Sequence, residues 1–180
     1  MIQRLQRAAI ISGGLMAAAG CQQPLKVGSV APDFSGMTNQ GKVIRLGDLM
    51  GERGVVLYFY PKGETLGCVT QTCAFRDRLG GFSKRGYTVV GISCDSVDSP
   101  RAYTAERALP CTRITDADCS IARRYHVPLV HRTLVDAPSL LVDRQAFVID
   151  RGGKIIEQYE VEDPEDDVRK AYEALEVPYH

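Results

Sequence analysis

The chain has 180 residues, 44% apolar, 24% charged and 7% aromatic, a balance that suits one compact domain and excludes collagen, coiled coil, low-complexity disorder and a multi-pass membrane protein. Twenty-two basic against twenty-two acidic residues leave a formal net charge of zero, so no whole-molecule field exists to hold a nucleic-acid backbone or an anionic membrane. Six cysteines are too few for a disulfide-stapled mini-fold and more than a casual cytosolic enzyme carries, so their positions must decide their roles.

Residues 1–20 are charged only at Arg4 and Arg7, which precede a 13-residue run of apolar and small side chains from Ala8 to Gly20. A bilayer-spanning helix needs roughly 20 residues, so this run reads as the hydrophobic region of a secretory signal. It ends in Ala18-Ala19-Gly20-Cys21, which resembles the lipobox of bacterial lipoproteins, where the cysteine becomes the acylated first residue. Ala18 departs from that pattern, which prefers a larger aliphatic residue. Ordinary cleavage at Ala17-Ala18-Ala19 is the alternative. The expected organisation is a signal peptide over 1–20, a polar tether over 21–27 after a lipid-modified Cys21, and one domain over 28–180. That domain works in an envelope compartment, periplasmic or membrane-anchored, which permits disulfides. Loss of residues 1–20 leaves 20 basic against 22 acidic residues, a net charge of −2.

Along the remaining chain, apolar runs alternate with amphipathic ones. Val55 to Tyr60 is a continuous apolar, β-rich run, as in a strand covered on both faces. A helical pattern follows over Cys68 to Phe82, then a second strand over Tyr87 to Ser93. Ser99 to Ala108 is a helix candidate opened by an N-cap serine before a proline. Thr112 to Thr115 is a weaker third strand and Asp118 to Tyr125 a short helix. Ala146 to Asp150 and Lys154 to Tyr159 flank Arg151-Gly152-Gly153, a hairpin signal. Asp163-Pro164 opens a last helix to about Leu175, with Val168, Ala171, Tyr172 and Leu175 at helical spacing. Parallel βαβ units followed by an antiparallel hairpin and a closing helix predict an α/β domain with a mixed central sheet flanked by helices.

The stretch Pro61-Lys62-Gly63-Glu64-Thr65-Leu66-Gly67-Cys68 joins the strongest strand to the next helix. Ligands of α/β sheets bind at the carboxyl ends of strands. A cysteine in the first helical turn also meets the positive end of the helix dipole and unpaired N–H groups, which favour thiolate over thiol. Cys73 follows five residues on. In an unbroken helix the two Cα atoms would stand about 9 Å apart and about 140° around the axis, too far for a disulfide, so a bond between them requires the helix start to unwind. The spacing does not match Cys-x-x-Cys exchangers or zinc knuckles, and no histidine lies near Cys68 in sequence, so no metal and no cofactor is expected.

Pro61-x-x-x-Thr65-x-x-Cys68 resembles the active-site signature of the peroxiredoxins, and Cys73 resembles the resolving cysteine of their bacterioferritin-comigratory, or Q-type, branch in the AhpC/TSA family. Further similarity runs through Ala31-Pro32-Asp33-Phe34, Phe59-Tyr60-Pro61, Phe75-Arg76-Asp77, Gly91-Ile92-Ser93 with Asp95-Ser96, and Arg144-x-x-Phe147-Val148-Ile149-Asp150. The resemblance implies a thioredoxin-like fold and a thiol peroxidase acting on hydrogen peroxide and organic hydroperoxides. In that family's terms Cys68 would be the nucleophile, Thr65 would hydrogen-bond thiolate and peroxide, Pro61 would shield the pocket, and Arg144 would hold the thiolate and polarise the O–O bond. Cys73 would trap the sulfenic acid as a Cys68–Cys73 disulfide, which a thioredoxin-like or other dithiol partner would reduce. A monomer or weak dimer is expected, with no nucleic acid and with membrane contact only through the lipid anchor.

Gln71 stands where the Q-type pattern usually has glutamate, and Ala146 where threonine is common. His126 to Asp143 is more apolar than the family's segment there and reads as a covering loop, with a dimer face or a membrane-proximal surface as the alternative. Cys94 and Cys111 read as ordinary semi-buried residues. Should the strands ending near Cys94 and Cys119 be neighbours, those two thiols could approach one another. Two other classes share the fold: a TlpA-like thiol-disulfide oxidoreductase, which needs Cys-x-x-Cys, and a Sco-like copper-delivery protein, which needs Cys-x-x-x-Cys with His126 or His131 as third ligand.

Overall fold

The computed structural model describes residues 25–61, 66–94, 112–134 and 137–176. The strands are β1 (Ser35–Thr38), β2 (Val43–Arg45), β3 (Gly54–Phe59), β4 (Tyr87–Ser93), β5 (Thr112–Thr115), β6 (Leu129–Leu134), β7 (Ala137–Val142), β8 (Gln145–Asp150) and β9 (Ile155–Glu160). The helices are α1 (Leu66–Lys84), α2 (Ser120–Arg124) and α3 (Pro164–Glu176), with one 3₁₀ turn over Leu46–Leu49. Seven strands form one sheet in the order β2-β1-β5-β4-β3-β8-β9. The β3, β4 and β5 strands run parallel, and β8 and β9 continue antiparallel from β3. This is the mixed sheet the sequence predicts. The candidate helix over Ser99–Ala108 and Cys111 lie outside the described residues.

β3 lies inside the sheet between β4 and β8, and all six of its residues are buried. Its side chains alternate between two cores, as the two-residue strand period requires. Val55, Leu57 and Phe59 join Val90, Ile92, Ile114, Phe147 and Ile149 under Phe34, Ile121 and Tyr125. Val56, Tyr58 and Tyr60 join Val148 with Phe75 and Phe82 of α1 and Val168 and Ala171 of α3. Tyr58 stacks on Phe75 with ring centroids 4.5 Å apart. Gly91 of β4 leaves room for that aromatic layer, because a Cβ there would lie 2.7 Å from the buried Tyr58 hydroxyl.

Three features differ from the sequence expectation. The β1–β2 hairpin is too short and too exposed to show a pattern, and it is held by β5 through Met37↔Thr115 and Thr38↔Ile114. The covering loop expected within His126 to Asp143 is instead an antiparallel pair, β6 with β7, in register from Leu129↔Val142 to Leu134↔Ala137. Pro138 argues against a strand in a sheet interior, but in a two-stranded sheet every strand is an edge and the missing donor costs little. Leu129 and Leu140 pack on the first core, and Leu141 and Val142 are buried. Within the stretch expected as tether, Leu25 also packs on that core and its carbonyl accepts a 2.9 Å bond from Gln158 Nε2.

Candidate active site at the carboxyl end of β3

β3 ends at Phe59, and Tyr60 extends its pairing by donating its N–H to the Ile92 carbonyl at 3.1 Å. The half-buried Pro61 comes next. Thr65 lies outside the described residues, and α1 begins at Leu66, which puts Cys68 in its first turn. Strand end and helix start therefore stand in the order expected. α1 runs without a break through Cys73, which is a half-buried free thiol.

Arg144 is far from these residues in sequence, and strand pairing brings it to them. The last β3–β8 pair is Phe59↔Gln145, so Arg144 sits one step beyond it, beside the chain that leads into Pro61. Its carbonyl accepts the Val161 N–H at 3.1 Å, which fixes the backbone, and its guanidinium Nη1 donates to Gln71 Oε1. Gln71 is fully buried on α1, one turn after Cys68. Arg144 thereby touches, through Gln71, the helix that carries Cys68.

Beyond Gln71 the polar chain continues into the protein. Gln71 Nε2 donates to Asp167 Oδ2, and the Tyr159 hydroxyl donates to Asp167 Oδ1 at 2.8 Å and to the Asp167 carbonyl at 2.9 Å. Asp167 has no exposed surface. Burial pushes its carboxyl up to about 6, against the lowering effects of the Gln71 and Tyr159 hydrogen bonds and of the Arg144 and Lys170 charges. Burial, and next the Asp167 charge, pushes the Tyr159 hydroxyl up. Neither residue stands out in the sequence. The available signal was Asp167 itself, a carboxylate beside Val168 on the apolar stripe of α3, where Lys and Glu would normally face water.

On the opposite face of the sheet, Cys94 and Cys119 form a disulfide with Cα atoms 5.2 Å apart. Cys94 is thus no ordinary semi-buried thiol, and the approach to Cys119 expected of neighbouring strands is what occurs. β4 and β5 are neighbours, and the chain turns back after β5 so that Cys119 meets the end of β4. Asp116 builds that turn. Its carboxylate accepts the N–H groups of Ile121 at 3.0 Å and Ala122 at 2.9 Å, and burial raises its carboxyl. Cys119 adopts a left-handed backbone conformation, φ 54°, at the start of α2.

Among the described residues, no group of three His, Cys, Asp or Glu side chains is arranged to hold a metal ion, and no helix is long and apolar enough to cross a membrane.

Comparison with known proteins places this geometry. Residues 27–158 match the model of the AhpC/TSA family. A Coxiella burnetii protein carrying the name peroxiredoxin bcp is 37% identical over 131 residues, covering 73% of this chain and 85% of that protein. Peroxiredoxin Q, chloroplastic, of Gentiana triflora is 39% identical over 128 residues, 71% of this chain and 56% of that longer protein. Among solved structures, the peroxidoxin BcpB of Mycobacterium tuberculosis superposes with a TM-score of 0.75 at 29% identity, covering 87% of this chain and 99% of that one. The Xylella fastidiosa PrxQ structure, at 23% identity and a TM-score of 0.72, supports the fold alone. These matches establish the thioredoxin-like α/β fold and favour neither the copper-delivery nor the disulfide-exchange alternative. The chain belongs to the AhpC/TSA family, and within it to the peroxiredoxins of the Q, or bcp, type, which are thiol peroxidases.

Proposed function

We propose that this chain reduces hydrogen peroxide and small organic hydroperoxides in the cell envelope, with Cys68 as nucleophile and Cys73 as resolving thiol. The observation that carries the assignment is the Arg144 to Gln71 hydrogen bond, which ties a cation to the helix turn that follows Cys68.

In the first step the Cys68 thiolate attacks one peroxide oxygen. The S–O bond forms as the O–O bond breaks, and the other oxygen leaves as an alkoxide or hydroxide that takes up a proton. Catalysis needs a lowered thiol pKa and donors aimed at the developing charge. The dipole at the start of α1 and the Arg144 guanidinium serve the first need, and Arg144 and Thr65 supply the donors. Pro61, half-buried at the end of β3, keeps water from the thiolate. In the second step the Cys73 thiolate attacks the Cys68 sulfenic sulfur, hydroxide leaves and is protonated to water, and a disulfide forms. A thioredoxin-like dithiol returns two electrons and two protons. Because α1 is continuous through both cysteines, the second step unwinds its start.

Export rests on the Arg4, Arg7 and Ala8–Gly20 pattern, and Cys21 is the proposed site of lipid attachment. The decisive experiment mixes reduced protein with hydrogen peroxide and, separately, with Cu(I). Stoichiometric peroxide consumption that Cys68→Ser abolishes is the expected result. Tight Cu(I) binding without peroxide consumption would overturn the peroxidase assignment in favour of copper delivery.

A further inference from the structure

We propose that Asp167 is a positioning residue for Arg144, acting through Gln71 to hold the guanidinium against the first turns of α1. This deepens the function proposed above and rests on Cys68 being the nucleophile there.

The geometry is a chain whose polarity is set at its buried end. Arg144 can only donate, so it needs the oxygen of the Gln71 amide. That leaves the Gln71 nitrogen facing inward, where it needs an acceptor, and Asp167 Oδ2 is that acceptor. Were a donor to stand at 167, the amide would turn over and present its NH₂ group to Arg144. Tyr159 completes the set by donating to Asp167 Oδ1 at 2.8 Å and to its carbonyl at 2.9 Å. Arg144, Gln71, Asp167 and Tyr159 come from the strand foot before β8, from α1, from α3 and from β9, so one carboxylate joins four segments behind the nucleophile. Both Gln71 and Asp167 have no exposed surface, which makes water a poor substitute for either partner.

A carboxylate with no purpose beyond holding two helices together would be an expensive choice at this depth. Burying a charge destabilises the native state, and an apolar pair of similar shape would join α1 to α3 at least as well. The charge is used if it strengthens the inner hydrogen bond and thereby orients the amide, since bonds to an ionised acceptor are roughly twice as strong as neutral ones. Gln71 and Tyr159 through hydrogen bonds, and Arg144 and Lys170 through their charges, all favour the ionised form of this carboxylate.

The test uses the full mature domain with intact Cys68 and Cys73. Three proteins are compared with wild type: Asp167→Asn, the double variant Gln71→Glu with Asp167→Asn, and Cys68→Ser. For each, the second-order rate of hydrogen peroxide reduction and the pH profile of Cys68 alkylation, resolved by peptide mass spectrometry, are measured beside the melting temperature. Asp167→Asn should melt no lower than wild type at pH 7.5, yet react with peroxide about tenfold more slowly, and its Cys68 should alkylate with a raised pKa. The double variant should recover most of the rate. The carboxylate that Gln71→Glu introduces accepts from Arg144, while the amide that Asp167→Asn introduces donates to that carboxylate and accepts from Tyr159. A purely structural role would move the melting temperature and leave the thiol pKa and the rescue pattern flat. Asp167→Asn within about twofold of wild type in both rate and thiol pKa overturns the proposal. If instead Cys68→Ser consumes peroxide as fast as wild type, the nucleophile assignment fails and the role of Asp167 fails with it.

Discussion

Cys94 and Cys119 are 25 residues apart in sequence and 5.2 Å apart at Cα, and their disulfide clips the end of β4 to the turn that starts α2. Both are buried, with 8% and 2% of their surface exposed. The bond belongs to the core facing α2, whereas α1 and Gln71 lie across the sheet. Closing a loop of this length removes chain entropy worth about 3 kcal/mol from the unfolded state. The double variant Cys94→Ala with Cys119→Ala should therefore lose about 3 kcal/mol in urea unfolding under oxidising conditions while keeping its peroxide reactivity. Coincident unfolding midpoints for variant and wild type would show that the clip contributes nothing to stability.

Cys73 has a role only after the first oxidation. Cys73→Ser should consume roughly one equivalent of peroxide and then stall as a sulfenic acid that dimedone labels. Sustained turnover of that variant with a thioredoxin-like donor would remove Cys73 as the resolving residue. In wild type, formation of the Cys68–Cys73 disulfide should reduce far-UV helicity, since a continuous α1 cannot hold the bond.

Arg144 contributes a charge and donors at the site. Arg144→Ala should cost about a hundredfold in the peroxide rate constant, as deletion of oxyanion donors does, and should raise the Cys68 pKa. The fold should survive, because the backbone contact from Val161 to the Arg144 carbonyl does not involve the side chain. Stopped-flow rates near wild type would mean that the thiolate is stabilised by other groups.

Asp167 makes stability depend on pH in a definite direction. Its carboxyl is pushed up to about 6 in the folded chain, above the usual carboxylate range, chiefly by burial. Between about pH 4 and about pH 6 the folded state therefore binds more protons than the unfolded state, and stability falls as pH rises through that window. The loss is complete above about pH 6 and is on the order of 3 kcal/mol. Asp167→Asn should lack this slope, so the difference in unfolding free energy between variant and wild type should grow from about pH 4 to about pH 7. A constant difference across that range would show that Asp167 titrates normally.

Cys21 should carry the anchor. One acyl chain binds a membrane only marginally and stable attachment takes at least two, so the mature protein should fractionate with membranes and yield an N-terminal peptide heavier by several chains. Cys21→Ser should release the protein or block processing. A soluble wild-type protein beginning at Gly20 would mean cleavage by an ordinary signal peptidase.

Much of the architecture was readable because the relevant signals are local. The apolar run at Val55 to Tyr60, the strands at Tyr87–Ser93 and Thr112–Thr115, the Arg151-Gly152-Gly153 hairpin and the Asp163-Pro164 helix start each carry their own period or turn chemistry. The placement of Cys68 in the first turn of a helix after β3 was equally legible, because the apolar run, the glycine-bearing stretch and the helical pattern follow one another within 15 residues. The β6–β7 pair was not, because Pro138 and the absence of a glycine or asparagine turn hide the hairpin.

What tertiary structure alone decided is which distant residues meet. The register Phe59↔Gln145 sets Arg144 beside the route into Pro61, 83 residues after it in the chain, and no local pattern encodes a register between strands so far apart. Gln71, Asp167 and Tyr159 become one hydrogen-bonded chain only because α1 and α3 pack side by side on the same face of the sheet. Cys94 and Cys119 become a disulfide for a related reason: β4 and β5 are neighbours, and the Asp116 turn directs the chain back across the strand ends. Helix and strand periods arise from backbone geometry and can be read one segment at a time. Buried polar pairs and disulfides depend on how whole segments pack, and that is settled only when the core forms.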